Sequence, residues 1–166
     1  MSTASPRRRS PRTPSIDIVR QSPLWEKEHG IDATLARAIA EASADVPAGE
    51  GELSVVLTDD ARIRALNLAW RKIDKPTNVL SFPAGGKAAP ALLGDIVIAY
   101  ETVKREALAQ DLPFLHHLAH LAVHGFLHLH GHDHEAEDEA ETMEQLERRI
   151  LARLDIPDPY AARDAH

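Results

Sequence analysis

Eight of the ten histidines in this 166-residue chain lie within nineteen positions, between His116 and His134. Imidazole is a frequent ligand of zinc, and it also exchanges protons near neutral pH. Because the chain contains no cysteine, a metal site would have to use histidine and carboxylate ligands. We therefore expect the chemistry of this protein to be concentrated in the histidine segment.

Two of these histidines have the spacing of a ligand pair on a helix. His124 and His128 are four residues apart, and such residues lie one above the other on a helical face. Gly131 can end the helix in a left-handed conformation, so that the chain turns and His134 approaches the same point. Three neutral imidazoles would leave a tetrahedral zinc with one open position, as in catalytic sites. The spacing predicts one Zn²⁺ per chain, held by His124, His128 and His134.

Other assignments within the segment remain open. His120 lies on the same helical face and could replace His134, and Asp133 could serve as a fourth ligand, a base or an orienting group. A metalloprotease helix carries glutamate after its first ligand, where this chain has Gly125, which disfavours a zincin-type peptidase. Three further histidines are predicted to be surface residues or to contact the ligands: His116, His130 and His132.

The hydrophobic pattern predicts alternating strands and helices. We expect one α+β domain, with a small mixed sheet of about four strands, surrounding helices and a central histidine-bearing helix next to a zincin-like zinc site. The predicted strands span residues 16–20, 52–58, 78–82 and 94–100. The predicted helices span residues 31–43, 59–71, 101–110, 113–130 and 135–154. The predicted domain organisation is a disordered tail over 1–15, the zinc domain over 16–156 and a flexible tail over 157–166.

Charge is distributed unevenly along the chain. The first fifteen residues carry four arginines and no acid, which leaves 15 bases against 26 acids, or −11, in the remainder. This serine- and proline-rich tail is predicted to be a solvated extension. Seven acids lie between Glu135 and Glu147, and they are predicted to form a solvated helix face. No apolar run is long enough for a membrane span, so we expect a cytoplasmic protein.

The eleven residues 124–134, HGFLHLHGHDH, resemble the H-G-x-L-H-L-x-G-[YH]-D-H motif of the YbeY family of bacterial endoribonucleases. Two further blocks resemble the same family in the same order, LNLAWRKIDKPTNVLSFP over 66–83 and LLGDIVIA over 92–99. The resemblance covers residues 16–154. Its departures from the family pattern are mild, and they fall at Trp70, Asn78 and His132.

The resemblance implies a single-strand-specific, metal-dependent endoribonuclease that matures the 3′ end of 16S rRNA and takes part in ribosome quality control. It implies zinc on His124, His128 and His134, with Arg71 as the other essential residue. The implied partners are single-stranded rRNA and the small ribosomal subunit. An arginine fork beside a metal suits this chemistry, because it binds phosphate through two hydrogen bonds and stays charged. Two alternatives remain: a zinc hydrolase of peptidase type, and a non-catalytic zinc-containing ribosome assembly factor.

Contacts to RNA phosphates require local basic groups, because the body of the chain is acidic. Trp70 and Phe82 are the aromatic residues placed to stack bases near such a group. Six bases in or near the first two blocks are predicted to line one side of the metal cleft: Arg62, Arg64, Arg71, Lys72, Lys75 and Lys87.

Overall fold

The structure, a computed structural model, describes residues 13–46, 51–84, 92–130 and 137–160. In this part of the chain four strands form one sheet, and they are β1 (Ser15–Arg20), β2 (Glu52–Thr58), β3 (Val79–Pro83) and β4 (Leu92–Ala99). The order in the sheet is β1-β2-β4-β3. Strands β1, β2 and β4 are parallel to one another, and β3 is an edge strand that pairs antiparallel with β4. The predicted α+β domain with a four-stranded mixed sheet is confirmed.

Within the described ranges, five α-helices surround the sheet: α1 (Ile31–Asp45), α2 (Asp60–Arg71), α3 (Tyr100–Ala109), α4 (Phe114–Leu129) and α5 (Glu137–Arg153). The bounds differ from the predicted ones by a few residues. Residues 135–136, predicted as the start of the last helix, lie outside the described residues. Among the described residues, no helix combines the length and the apolar character needed to cross a bilayer.

The two faces of the sheet carry different layers. Along β2, Leu53, Val55 and Leu57 belong to the large core that β2 shares with α1, α3, α4 and α5. Val56 points the other way, to a smaller cluster that includes Ile63 of α2. This alternation is the two-residue period of a strand buried on both faces. Helix α2 therefore packs on the face of the sheet opposite to the histidine-bearing α4.

A buried tryptophan, which the sequence analysis did not single out, ties the start of α4 to the sheet. Trp25 lies in a 3₁₀ helix (Pro23–Lys27), is fully buried, and donates from Nε1 to the Thr58 carbonyl at 2.8 Å. Its ring packs edge-on against Tyr100 and Phe114, with ring centroids 5.3 and 5.9 Å away. Such aromatic pairs add to the energy of burial. The first turn of α4 is thus fixed against the rest of the domain.

Helix α4 lies at the centre of the domain, in contact with three helices and with β3 and β4. Gly125 allows it to approach the sheet closely, because a Cβ at this position would lie 2.9 Å from Cγ2 of Ile96 and 3.1 Å from Oγ of Ser81. Ser81 also donates from Oγ to the Gly125 carbonyl at 2.8 Å. The turn of α4 that carries His124 is therefore held directly against the edge strand.

Candidate active site

The structure brings His124 and His128 together on one face of α4. Their Nε2 atoms are 3.1 Å apart and their ring centroids 4.6 Å apart. Both side chains are partly exposed. Two imidazole nitrogens that converge in this way can share one metal ion. The third predicted ligand, His134, lies outside the described residues, as do Asp133 and His132. Within the described residues, no three side chains converge as a metal-binding group.

A buried carboxylate contacts His124 of this pair through the ring nitrogen that does not face His128. Glu147 of α5 is fully buried. Its Oε2 lies 2.7 Å from Nδ1 of His124, and its Oε1 lies 2.7 Å from Nε2 of His120. Tyr160 donates its hydroxyl to the same Oε1 at 2.5 Å. A carboxylate on Nδ1 keeps the proton of His124 on that atom, so that Nε2 carries the lone pair that can bind a metal.

Glu147 is ionised at neutral pH. Burial alone would raise its pKa, but hydrogen bonds from His120 and His124 outweigh burial and lower the pKa to about 2. The prediction of a solvated acidic face is therefore wrong for this residue. The sequence did carry a signal, since Glu147 lies at helical spacing among Met143, Ile150 and Leu151, which are all buried.

His120 was the alternative third ligand, and its surroundings give it another partner. Its Nε2 faces the Glu147 carboxylate rather than the point shared by His124 and His128. Its ring packs edge-on against Tyr160, with centroids 5.8 Å apart. His120 thus belongs to the hydrogen-bonded network of Glu147 that also holds His124.

Asp158 and Tyr160, which fall in the predicted C-terminal tail, contribute to this network. Asp158 pairs with Arg148 of α5 at 3.2 Å, and the Arg148 guanidinium lies 5.3 Å from the centre of the Tyr160 ring. These contacts place the segment after α5 beside the histidines. Together with α4 and the connection between α3 and α4, it encloses a cleft of about 1060 Å³ next to His124.

A second carboxylate-histidine pair lies at the start of α4. His117 is buried, and its Nε2 lies 2.8 Å from Oε1 of Glu106. Asn78 donates to the same oxygen at 3.0 Å. Burial alone would raise the pKa of Glu106, but the hydrogen bonds from His117 and Asn78 outweigh it and lower the pKa. This pair links the start of β3 to α3 and α4.

Arg71 is the last residue of α2 and is exposed, on the other face of the sheet. The edge strand β3 contacts α2 on one side and α4 on the other. Phe82 of β3 packs against Trp70 with ring centroids 5.8 Å apart, whereas the preceding Ser81 bonds to Gly125, next to His124. Arg71 and the histidine pair therefore flank the same edge of the sheet.

The prediction that six bases line one side of the metal cleft stays a prediction, because His134 and Lys87 lie outside the described residues. No lysine or arginine is among the described residues that line the cleft beside His124. Arg62 and Arg64 pair with Asp59 and Asp74, respectively. Arg71, Lys72 and Lys75 are exposed and have no ion pair with another described residue.

The environment of Gly125 bears on the peptidase alternative. A zincin peptidase places its glutamate base directly after the first histidine ligand. Here that position faces Ile96 and Ser81 at less than ordinary contact distance, so the backbone of α4 leaves no room for a side chain. The packing of α4 on the sheet is therefore incompatible with that catalytic arrangement.

A single α+β domain and an imidazole pair held by a buried carboxylate are the features of a histidine-centred metallohydrolase. Comparison with known proteins narrows this class. The family model described as Endoribonuclease YbeY matches residues 21–155. The Endoribonuclease YbeY of Rhodopseudomonas palustris (strain BisA53) is 55% identical over 91% of this chain and 92% of its own length. The chain belongs to the YbeY endoribonuclease family, which confirms the predicted family and the class of RNA-cleaving hydrolases.

Other matches agree with this family membership. The Endoribonuclease YbeY of Bradyrhizobium diazoefficiens is 54% identical over 92% of this chain and 88% of its own length. Among solved structures, the solution structure of TM1509 from Thermotoga maritima matches with a TM-score of 0.54 and 22% identity, over 84% of this chain and 91% of that one. At this identity the structural match supports the fold alone.

Proposed function

We propose that this protein is a zinc-dependent endoribonuclease that cuts single-stranded RNA, matures the 3′ end of 16S rRNA on the small ribosomal subunit and takes part in ribosome quality control. The observation that carries the proposal is the His124–His128 pair, with Nε2 atoms 3.1 Å apart and Nδ1 of His124 held by Glu147. Family membership supplies the RNA substrate class.

The donor set suits zinc. Two nitrogens that share a tetrahedral zinc at ~2.0–2.1 Å lie about 3.3 Å from each other. The Nε2 atoms of His124 and His128 are already close to that separation. We assign His134 as the third ligand, which leaves one position open. His124, His128 and His134 would hold the zinc, which would supply Lewis-acid activation of water and neutralise phosphate charge.

The substrate strand crosses the edge strand β3 in this proposal. On one side of β3, Arg71 binds a phosphate through its fork, and the exposed Lys72 and Lys75 add positive charge. Trp70, 69% exposed, offers a face on which a base can stack. On the other side of β3, the scissile phosphate meets the histidine pair. Asp133 then either orients an imidazole or takes a proton from water.

Glu147→Gln is expected to weaken zinc binding about 10- to 100-fold, because an amide cannot accept hydrogen bonds on both of its ends. Competition with a chelator of known affinity measures the change. Glu141→Gln, at an exposed position of the same helix, is the matched control and should bind zinc like the wild type. If Glu147→Gln and the wild type bind zinc with equal affinity, Glu147 does not support the metal site.

Cleavage should tolerate the loss of the 2′-hydroxyl at the cut bond. If zinc activates water as the nucleophile, an RNA with a single 2′-deoxy sugar at that bond is still cut. If the RNA's own 2′-hydroxyl attacks, the same substrate is fully resistant. Gel analysis of the two substrates separates these mechanisms, and complete resistance would exclude attack by water.

The biological assignment is tested with small ribosomal subunits that carry an unprocessed 16S 3′ end. The zinc-loaded protein should trim this end, whereas His128→Ala should not. Cleavage of naked single-stranded RNA without any processing of the subunits would retain the nuclease and reject its role in 16S maturation.

A further inference from the structure

The cleft beside His124 has an unusual charge pattern for a protein that acts on RNA. Its described lining includes three carboxylates, from Glu106, Asp111 and Asp158, and no lysine or arginine. Asp158 is paired with Arg148, whereas Glu106 and Asp111 have no ion pair with a described lysine or arginine. Such carboxylates repel phosphate, since phosphate binding depends on positive charge. The sugar-phosphate backbone is therefore better placed along Arg71 and the histidine pair than inside this cleft.

The remaining lining suits a flat, uncharged ring. Leucine, isoleucine and proline side chains cover much of the wall, and Tyr160 adds an aromatic ring. A nucleobase buries its faces against such surfaces, while its edge needs polar partners. The volume of about 1060 Å³ is ample for one base and its sugar.

Asp111 is the carboxylate of the cleft that can accept a hydrogen bond from the polar edge of a nucleobase. Glu106 is engaged by His117 and Asn78, and Asp158 by Arg148. Asp111 is exposed and its side chain has no partner among the described residues. Its backbone is left-handed, with φ 57, and its N–H donates to the Leu108 carbonyl, so the backbone turn that carries Asp111 lies at the mouth of the cleft.

We propose that this cleft binds one nucleobase of the RNA, adjacent to the cut bond, and that Asp111 accepts a hydrogen bond from its amino or ring N–H group. The inference rests on the proposed function and adds a base site to it. Adenine, cytosine and guanine each carry an amino group that a carboxylate can accept from. The cleft thus binds a base of the RNA, whereas Arg71 binds a phosphate of its backbone.

The experiment uses the full-length, zinc-loaded chain and a short single-stranded RNA that is cut at one bond. Each nucleotide around that bond is replaced in turn by an abasic nucleotide, which removes the base and keeps the sugar and phosphate. At one position the loss of the base should lower kcat/KM about 10- to 100-fold, as expected for one stacked base. An equal kcat/KM for all substrates would overturn the base site.

A matched pair of variants assigns the contact to Asp111. Asparagine tolerates left-handed backbone, so Asp111→Asn keeps the turn while removing the charged acceptor. Asp155→Asn is the control, because Asp155 is also exposed and left-handed, with φ 62, but does not line the cleft. Asp111→Asn should lower kcat/KM about fivefold on the intact RNA and leave it unchanged on the abasic RNA. Equal losses on both RNAs would show that Asp111 acts otherwise, for example on a cation.

Binding provides a readout that does not depend on cleavage. Fluorescence anisotropy with the metal-free protein should show tighter binding of the intact RNA than of the critical abasic RNA. If the zinc-loaded protein cuts no RNA, the proposed function fails. The base site fails separately, if intact and abasic RNAs bind equally well.

Discussion

Alanine in place of His124, His128 or His134 is expected to leave the protein without stoichiometric zinc and to lower RNA cleavage about 1000-fold or more. Each change removes one of three imidazoles, and the remaining two cannot hold a tetrahedral ion against dialysis. Metal analysis of the dialysed proteins and single-turnover cleavage of one RNA measure the two effects. Circular dichroism melting establishes that each variant is folded.

Two further variants serve as comparisons for the ligand set. His29→Ala removes an exposed histidine from a different part of the chain and should leave metal content unchanged. His120→Ala should keep one equivalent of zinc, because its Nε2 faces Glu147. Loss of metal by His120→Ala, together with its retention by His134→Ala, would show that His120 is the third ligand.

Arg71→Lys is expected to lower kcat/KM about 10- to 100-fold and to leave the melting temperature close to that of the wild type. Lysine keeps the charge but cannot form the two parallel hydrogen bonds of an arginine fork. The exposed position of Arg71 at the end of α2 explains why stability should not change. Steady-state kinetics and thermal melting provide the two measurements.

Arg64→Lys is the matched control for Arg71, because it lies on the same helix and its side chain is already paired with Asp74. Its effect on activity should be small, since an exposed ion pair contributes little. A large drop in the melting temperature of Arg71→Lys, with activity per folded molecule preserved, would make Arg71 a structural residue.

Local patterns predicted most elements of this fold. The apolar strand β2 and the Asp59-capped helix α2 follow from neighbouring residues alone, and both are found at the predicted positions. The spacing of His124 and His128 likewise fixes their approach, because one helical turn separates them. These features depend on a few consecutive residues and on no distant part of the chain.

The hydrogen bonds of Glu147 with His120 and His124 could not be predicted from local sequence patterns. Glu147 is 23 residues from His124 in sequence, and they meet only because α5 packs on α4. The acidic composition of α5 concealed Glu147, a carboxylate that lies on the apolar stripe of this helix. The position of Arg71 could not be predicted either, because tertiary structure decides on which side of the sheet α2 packs. The described bases near it consequently flank the edge strand and are not among the described residues that line the cleft beside His124.

Titration of metal-free protein with zinc, followed by cleavage of a single-stranded RNA after each addition, tests the central claim most directly. Activity should rise in proportion to added zinc, reach its limit at one equivalent per chain, and disappear on chelation. Cleavage by the metal-free protein at the full rate would contradict the account, and so would a fully zinc-loaded protein that leaves the RNA intact.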